Sequence, residues 1–308
     1  MIAYIIRRLV AAVPVMLGVS ILVFAILHAV PGDVVRLMAV RAFAVFTPEQ
    51  EARIRHQLGL DQPVVVQYVH FLGNALTGDL GRSFYTNRLV TTSILEQLPA
   101  TLQLAGAGML FAVVVGGGLG LIAAIRQNTW VDHMSMTFSL LGLSMPIFWS
   151  GLLLIYLFAV RLRWVPIVAL GWKALILPAI ALGYDASAFI ARMVRSSVLE
   201  VLKQEYVQIA HAKGLSERAV IFRHVLKAAM IPIITLIGLH AGRLLGGTVV
   251  VETVFARQGI GRLAVEAVLY KDYLLVQGVV LFAATIYVLL NLLIDISYAW
   301  FDPRIHYQ

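Results

Sequence analysis

The sequence predicts an all-α membrane protein with six transmembrane helices and a large extracytoplasmic segment after the first. Two observations carry this. Of 308 residues, 60% are apolar and only 13% are charged, too apolar a balance for a chain bathed in water. The apolar residues also gather into six stretches, at 9–29, 100–125, 134–160, 174–191, 228–251 and 274–300. Each is near or above the roughly 18 to 20 residues a helix needs to cross the hydrocarbon core. One transmembrane domain over 1–308 is therefore expected, with an extracytoplasmic insertion at 31–97 and a polar cytoplasmic loop at 195–229.

The chain has no cysteine, which excludes disulfides, thiolate metal sites and thiol nucleophiles. Its net charge of +8 is read as basic residues that keep loops on the cytoplasmic side of the bilayer, not as a nucleic-acid surface. The first stretch follows Arg7 and Arg8, as a signal peptide would. It is long, however, and runs into His28-Ala29-Val30-Pro31-Gly32-Asp33 without a small-x-small cleavage site, so a retained anchor is expected.

In the inserted segment, Thr47-Pro48-Glu49-Gln50 combines an N-cap, a proline at the first helical position and a capping-box partner. Gly59 is placed to end that helix in a left-handed turn. From Pro63 onward Val65, Val69, Leu72 and Leu76 share one helical face, expected to pack against the spans, before the turn region Gly78-Asp79-Leu80-Gly81.

Gly116-Gly117-Gly118 and Gly120 in the second span, and the pair Gly242 and Gly246 in the fifth, lack side chains that would keep helices apart. Pro146 after Ser144 should kink the third span. The fourth is the shortest and contains Asp185, whose charge costs roughly 2.5–3.5 kcal/mol at a span centre on insertion scales. Asp185, Arg243, Asn291 and Asp295, in or near spans, and Glu252 at the outer end of the fifth are candidate pathway or gate residues. Pairing with a neighbouring helix or snorkelling to a surface is the alternative for each.

With the N-terminus inside, the cytoplasm receives Arg7, Arg8, Arg126, Arg192, Arg195, Lys203, Lys213, Arg218, Arg223, Lys227 and Arg304. The short outer loops hold Arg161, Arg163, Lys173, Arg257, Arg262 and Lys271. This asymmetry places both termini in the cytoplasm.

The cytoplasmic loop reads helix, glycine turn, helix. The first helix should run to Lys213, Gly214 can take the positive φ that stops it, and Ser216 with Glu217 can start the next. Its apolar face, including Val207, Ile209 and Ala210, suits a partner's groove or the lipid headgroups; the residues alone leave both open.

This loop resembles the EAA loop of binding-protein-dependent ATP-binding-cassette importers, in which a short coupling helix inserts into the ATPase subunit. Gly214 matches the family's glycine and Ala210 its second alanine, while Gln208 and Ile209 replace the glutamate and first alanine and Pro232 lies later than the terminal proline. Those departures are similar to the dipeptide and oligopeptide branch, through Glu205-Tyr206-Val207 and Ala210-His211-Ala212-Lys213-Gly214-Leu215. The resemblance extends over nearly the whole chain, through Gly18-Val19-Ser20, His28 with Pro31-Gly32-Asp33, Leu58-Gly59-Leu60-Asp61, Gly78-Asp79-Leu80-Gly81, Leu98-Pro99-Ala100-Thr101-Leu102, Glu252-Thr253-Val254-Phe255, Gly259-Ile260-Gly261 and Asp302-Pro303-Arg304. Gln258 stands where the family usually has proline.

The resemblance implies a type I ABC importer permease fold, in the first of two nonidentical permease subunits of the cytoplasmic membrane. It implies as partners the second permease, two ATP-binding-cassette ATPase subunits or domains, and an extracytoplasmic substrate-binding protein. Glu205, Tyr206, Ala210, Lys213, Gly214 and Leu215 would couple to the ATPases, and the cargo would be dipeptides or short peptides moved by alternating access. Related permeases also carry longer peptides, glutathione, nickel chelates or haem. The Gly-Lys-Ser or Gly-Lys-Thr of a P-loop does not occur. ATP and Mg are accordingly expected on the partners, and no enzymatic activity on this chain. Neither His-Glu-x-x-His nor Gly-x-Ser-x-Gly is present, and the histidines have no paired helical ligand spacing, so no catalytic, cofactor or metal residues are expected. A secondary transporter or channel not coupled to ATP is the other reading, though it would not need the structured elbow.

Overall fold

The computed structural model describes residues 2–29, 35, 46–57, 59–166 and 171–301, without the side chains of 2–5, 57, 231 and 295–301. Pro31-Gly32-Asp33, Leu58 and Asp302-Pro303-Arg304 of the sequence motifs lie outside the described residues.

The first span is α1 (Ile2–Ala29). Two short helices follow, α2 (Pro48–Gln57) and α3 (Val64–Leu76). The second span begins earlier than hydropathy suggested: α4 (Val90–Phe111) continues through a π-helical turn at Ala112–Gly116 into α5 (Gly117–Ile125). The third is α6 (Trp130–Ser144) and α7 (Ile147–Leu154), the latter prolonged by a π-helical turn at Ile155–Arg161. Next come α8 (Lys173–Leu202), α9 (Glu205–Ala212) and α10 (Glu217–Val220). After a π-helical turn at Ile221–Val225 the chain ends in α11 (Leu226–Val254), α12 (Ile260–Leu269) and α13 (Tyr273–Phe301). Among the described residues, five helices are long and apolar enough to cross a membrane, or six spans if the bent α6–α7 pair is one.

At Pro146 the expected kink is a break: the two halves meet at 110°. Met145, forced out of the helical region by the following proline, is extended at φ −90° and ψ 125°. Pro146 then opens α7 with its fixed φ near −59°.

The chain divides into two compact units, one of Pro99–Arg262 and Leu289–Gln308, the other of Ile2–Leu98 and Leu263–Val288. In the first, α8 is the central helix. Its small buried residues, Ala181, Ala186, Ala188 and Ala191 among them, let neighbours approach closely. Gly116 and Gly120 lie against the α8 backbone at Ser187 and Ala191, where a Cβ would collide. Of the glycine pair foreseen in α11, a Cβ at Gly246 would meet no atom of another element among the described residues, and it is Gly247 that packs on Leu182. Arg195 of α8 holds Asp132 of α6 in a two-pronged ion pair, both bonds 2.7 Å, and the Asn128 amide adds a third bond to the buried carboxylate.

In the second unit, the capping box forms as expected. Gln50 N donates to Thr47 Oγ1 and Thr47 N to Gln50 Oε1. Gly59 takes φ +66°. The stripe of α3 is a correction. Val65 and Leu76 are 72% and 81% exposed and Val69 is exposed as well; of the four, Leu72 alone is half-buried, and the face turned to α1 carries Tyr68 and Phe71. Aromatic area and a polar tip pack better on Phe24 and Ser20 than the valines do, which hydropathy alone could not rank. Arg82 and Leu89 pair as an isolated antiparallel bridge, closing a hairpin before α4.

Candidate functional site

The elbow around Gly214 is built by local rules. Two non-helical residues, Lys203 and Gln204, separate α8 from α9, so residues 195–202 of the foreseen loop are a continuation of the fourth span. The first helix stops at Ala212, with Lys213 as its C-cap. Gly214 follows at φ +79°. Its amide bonds His211 O at 2.9 Å and the Leu215 amide reaches back to Ala210 O at 3.4 Å, satisfying carbonyls at the helix end. Ser216 then caps α10 by accepting from Ala219 N. Nothing stands near a Cβ built on Gly214, so backbone conformation alone demands glycine there.

The two faces of α9 differ from the sequence expectation. Val207 and Ala210 are buried in this chain's own core, with Val198, Val220 and Val225, and are not offered to a partner. Glu205, Tyr206, Gln208, Ile209, Lys213, Gly214 and Leu215 are exposed. Helical period explains this: positions 207 and 210 fall on one side, 205, 206, 208 and 209 on the others. The elbow is thus pinned by two apolar residues beneath an exposed mixed surface.

Of the candidate polar residues, the structure brings two together. Arg243 of α11 approaches Asp185 of α8 at 4.0 Å, the outer limit of an ion pair, and also lies over the Phe189 ring with its guanidinium 5.3 Å from the centroid. Buried His240 touches the same ring. Asn291 is half-buried in α13, and no hydrogen bond or ion pair joins it to this group among the described residues. The Asp295 side chain lies outside the description.

Glu252 stands apart from that group, near the C-terminal end of α11, and is fully buried at 0% exposure. Its carboxylate accepts from Thr101 Oγ1 at 2.7 Å and from the Arg262 amide at 3.1 Å; Thr101 Oγ1 in turn accepts from the Ile260 amide at 2.8 Å. The turn 255–259 is wrapped over this carboxylate. It turns back through Ala256 at φ +49°, and the Arg257 amide bonds Glu252 O at 2.8 Å. These bonds hold the turn around Gln258.

Sequence reasoning missed Asp272. Its buried carboxylate accepts from Ser83 Oγ and from the amides of Phe84, Tyr85 and Leu275, tying the 82–89 hairpin to the start of α13. The available signal was an aspartate just ahead of an apolar run, the signature of an N-cap. Above it, Tyr85 and Tyr270 stack with centroids 4.2 Å apart. Asp132 and Arg195 were likewise not paired in advance, since nothing in the sequence relates positions 63 residues apart.

Two family models match the chain. One, described as the binding-protein-dependent transport system inner membrane component, covers residues 116–307, and its N-terminal counterpart covers 1–105. The chain belongs to the binding-protein-dependent transport system permease family. It is 40% identical to the dipeptide transport system permease protein of Alkalihalophilus pseudofirmus and 42% identical to the glutathione transport system permease protein of Escherichia coli, each alignment spanning 100% of both chains. Two solved structures share the fold at 18% identity and TM-score 0.53: an amino acid ABC transporter with histidines, and a methionine ABC transporter in inward-facing conformations. They cover 70% and 68% of this chain and 94% of their own. The molecule is a multi-pass membrane permease of the ABC importer class with the type I fold, a class of subunit that is not itself catalytic.

Proposed function

We propose that this permease moves dipeptides or short peptides into the cell by alternating access, paired with a second, nonidentical permease and driven by two ATPase subunits. The observation that carries the coupling half is the elbow at Gly214. It is pinned to the protein core through Val207 and Ala210 and exposes Glu205, Tyr206, Lys213 and Leu215 beside it. A lever of that kind transmits a rigid-body displacement from a partner to α8 and α11, which carry the polar groups Asp185, Arg243 and Glu252. ATP and Mg reside on the partner, whose nucleotide-bound state must bind the elbow differently from its empty state for any work to be done.

An extracytoplasmic binding protein delivers the cargo and docks on the outer side, where Glu252 fastens the 255–262 turn that serves as part of the gate. The chain lies in the cytoplasmic membrane with both termini inside, which puts the elbow with the ATPases and 31–97 outside. Full-length likeness to a dipeptide permease and a glutathione permease supports a peptide cargo. The test is reconstitution of the complete importer in proteoliposomes, with the binding protein purified together with its natural ligand. Uptake of a di- or tripeptide that requires ATP inside supports the reading. Uptake driven by an ion gradient and indifferent to ATP overturns it.

A further inference from the structure

We propose that α3 is an in-plane interfacial helix, seated in the bilayer leaflet at the C-terminal end of α1, with Val65, Val69 and Leu76 among the lipid acyl chains. Four contacts set its depth. Gln67 Oε1 lies 3.2 Å from His28 Nε2, Tyr68 and Phe71 meet the Phe24 ring, and Tyr68 OH lies 2.8 Å from Ser20 Oγ. An α-helix rises about 1.5 Å per residue, so Phe24 is roughly 6 Å and Ser20 roughly 12 Å below His28 along α1. α3 therefore crosses α1 about 6 Å inside the end of its apolar run, the depth at which interfacial helices bury an apolar face, about 5–10 Å.

The chemistry of the helix agrees. Val64–Leu76 contains no Asp, Glu, Lys or Arg. Its polar groups on the α1 side are occupied: Gln67 Nε2 donates to Gln62 O at 2.8 Å and the Tyr68 hydroxyl meets Ser20. The opposite side leaves Val65, Val69 and Leu76 bare, with His70 and Asn74 on the flank, where side chains can reach headgroups. At the same level α1 itself leaves Ile21, Leu22 and Ile26 more than half exposed. Those residues belong to a helix long and apolar enough to cross a membrane, and the bare face of α3 lies at the same level. A water-facing helix with this stripe would expose it at a cost of about 25 cal/mol for each Å². Lipid contact removes that cost and anchors the extracytoplasmic segment at the membrane plane.

The chain has no cysteine of its own, which permits single labels at Val65→Cys, Val69→Cys and Leu76→Cys. Each carries a nitroxide in the assembled importer in lipid nanodiscs, with Glu49→Cys as the water-facing reference. The proposal expects collision with dissolved oxygen to exceed collision with a water-soluble nickel chelate several-fold at all three sites, and the reverse at Glu49. Free access of the chelate at Val69 overturns the proposal in favour of a water-facing helix. Access by neither reagent overturns it in favour of a protein partner covering the stripe.

Discussion

The Glu252 carboxylate fills the space that a Cβ on Gly259 would need. The relationship is reciprocal: the glycine is required because a buried acid lies under it, and the acid is held because the turn can close over it. Gly261 is constrained in the same way, by the Val249 backbone and by Glu252. A buried carboxylate whose oxygens are met by a hydroxyl and an amide fixes one turn geometry, and losing a partner leaves polar groups exposed to an apolar interior. Gly259→Ala is expected to destabilise the assembled permease by about 1–3 kcal/mol, read as a lowered unfolding temperature. Thr101→Val should lower it too, by removing both the hydroxyl donor and the acceptor for Ile260. An unchanged melting profile for Gly259→Ala would contradict the packing described.

Gly214 offers the contrasting case. No neighbour obstructs a side chain there, but its left-handed conformation costs a residue with a Cβ roughly 1–2 kcal/mol. Gly214→Val is expected to lower the melting temperature only modestly, in line with that strain, while lowering substrate uptake for each ATP hydrolysed. The measurement is uptake and phosphate release in the same proteoliposomes. Normal uptake at normal abundance would count against the coupling role.

Asp132 and Arg195 should behave as a pair. Removing one partner leaves a buried charge or its hydrogen bonds uncompensated, a loss of about 3–5 kcal/mol when burial is complete. Arg195→Ala is expected near the upper part of that range and Asp132→Ala lower, because the charge left behind is the buried carboxylate in the first case and the partly exposed guanidinium in the second. The exchanged pair Asp132→Arg with Arg195→Asp should recover part of the loss. Yield and thermal stability of the solubilised complex report it. Equal stability for all of these variants would remove the pair from the account of α6 packing.

Asp272→Ala should free the 82–89 hairpin. Each donor left unpaired away from water costs about 1–3 kcal/mol; the Ser83 hydroxyl and the Phe84 amide lose their acceptor, while the Tyr85 amide keeps only its bond to Ser83 Oγ from this cluster. Limited proteolysis of the solubilised complex is expected to cut within the hairpin of the variant and spare the parent. Equal resistance in both would show that other contacts hold the hairpin.

A pH effect is expected at the end of α2. His56 Nδ1 lies 2.7 Å from Asp61 Oδ2, and this hydrogen bond raises His56 above its ordinary 6.5 and lowers Asp61 below its ordinary 3.8. The histidine's contribution is complete below 6.5 and is lost as pH climbs through its raised value. The aspartate's is present above 3.8 and is lost as pH falls through its lowered value. Hydrogen exchange of the Gly59 and Leu60 amides, corrected for intrinsic rates, should therefore be slowest between those limits. Both groups are exposed, so the effect is small and fades with salt. Protection that rises on the alkaline side would refute it.

Local features were legible because local physics makes them. Apolar length marked the spans, the capping box at Thr47 and Gln50 closed as read, and Gly214 took its positive φ because no other residue adopts that backbone cheaply. Pro146 was seen as a bend, but its magnitude was not. A single proline disrupts a helix, yet what the following segment packs on decides whether it kinks or breaks. Features joining distant positions stayed hidden. Val207 and Ala210 looked available until the core of the chain covered them, and the α3 valines looked buried until Tyr68 and Phe71 took their place.

By itself, the sequence determined that this chain lives in a membrane, that it crosses it repeatedly as helices, and that a rigid glycine elbow interrupts it on one side. Those properties follow from hydropathy and backbone sterics, which act over a few neighbouring residues. Only the tertiary structure decided which face of each short helix is covered, which carboxylates are paired, and which glycines are sites of contact. A carboxylate such as Glu252 or Asp272 takes its meaning from donors many residues away, and only the folded chain brings them within 3 Å or so.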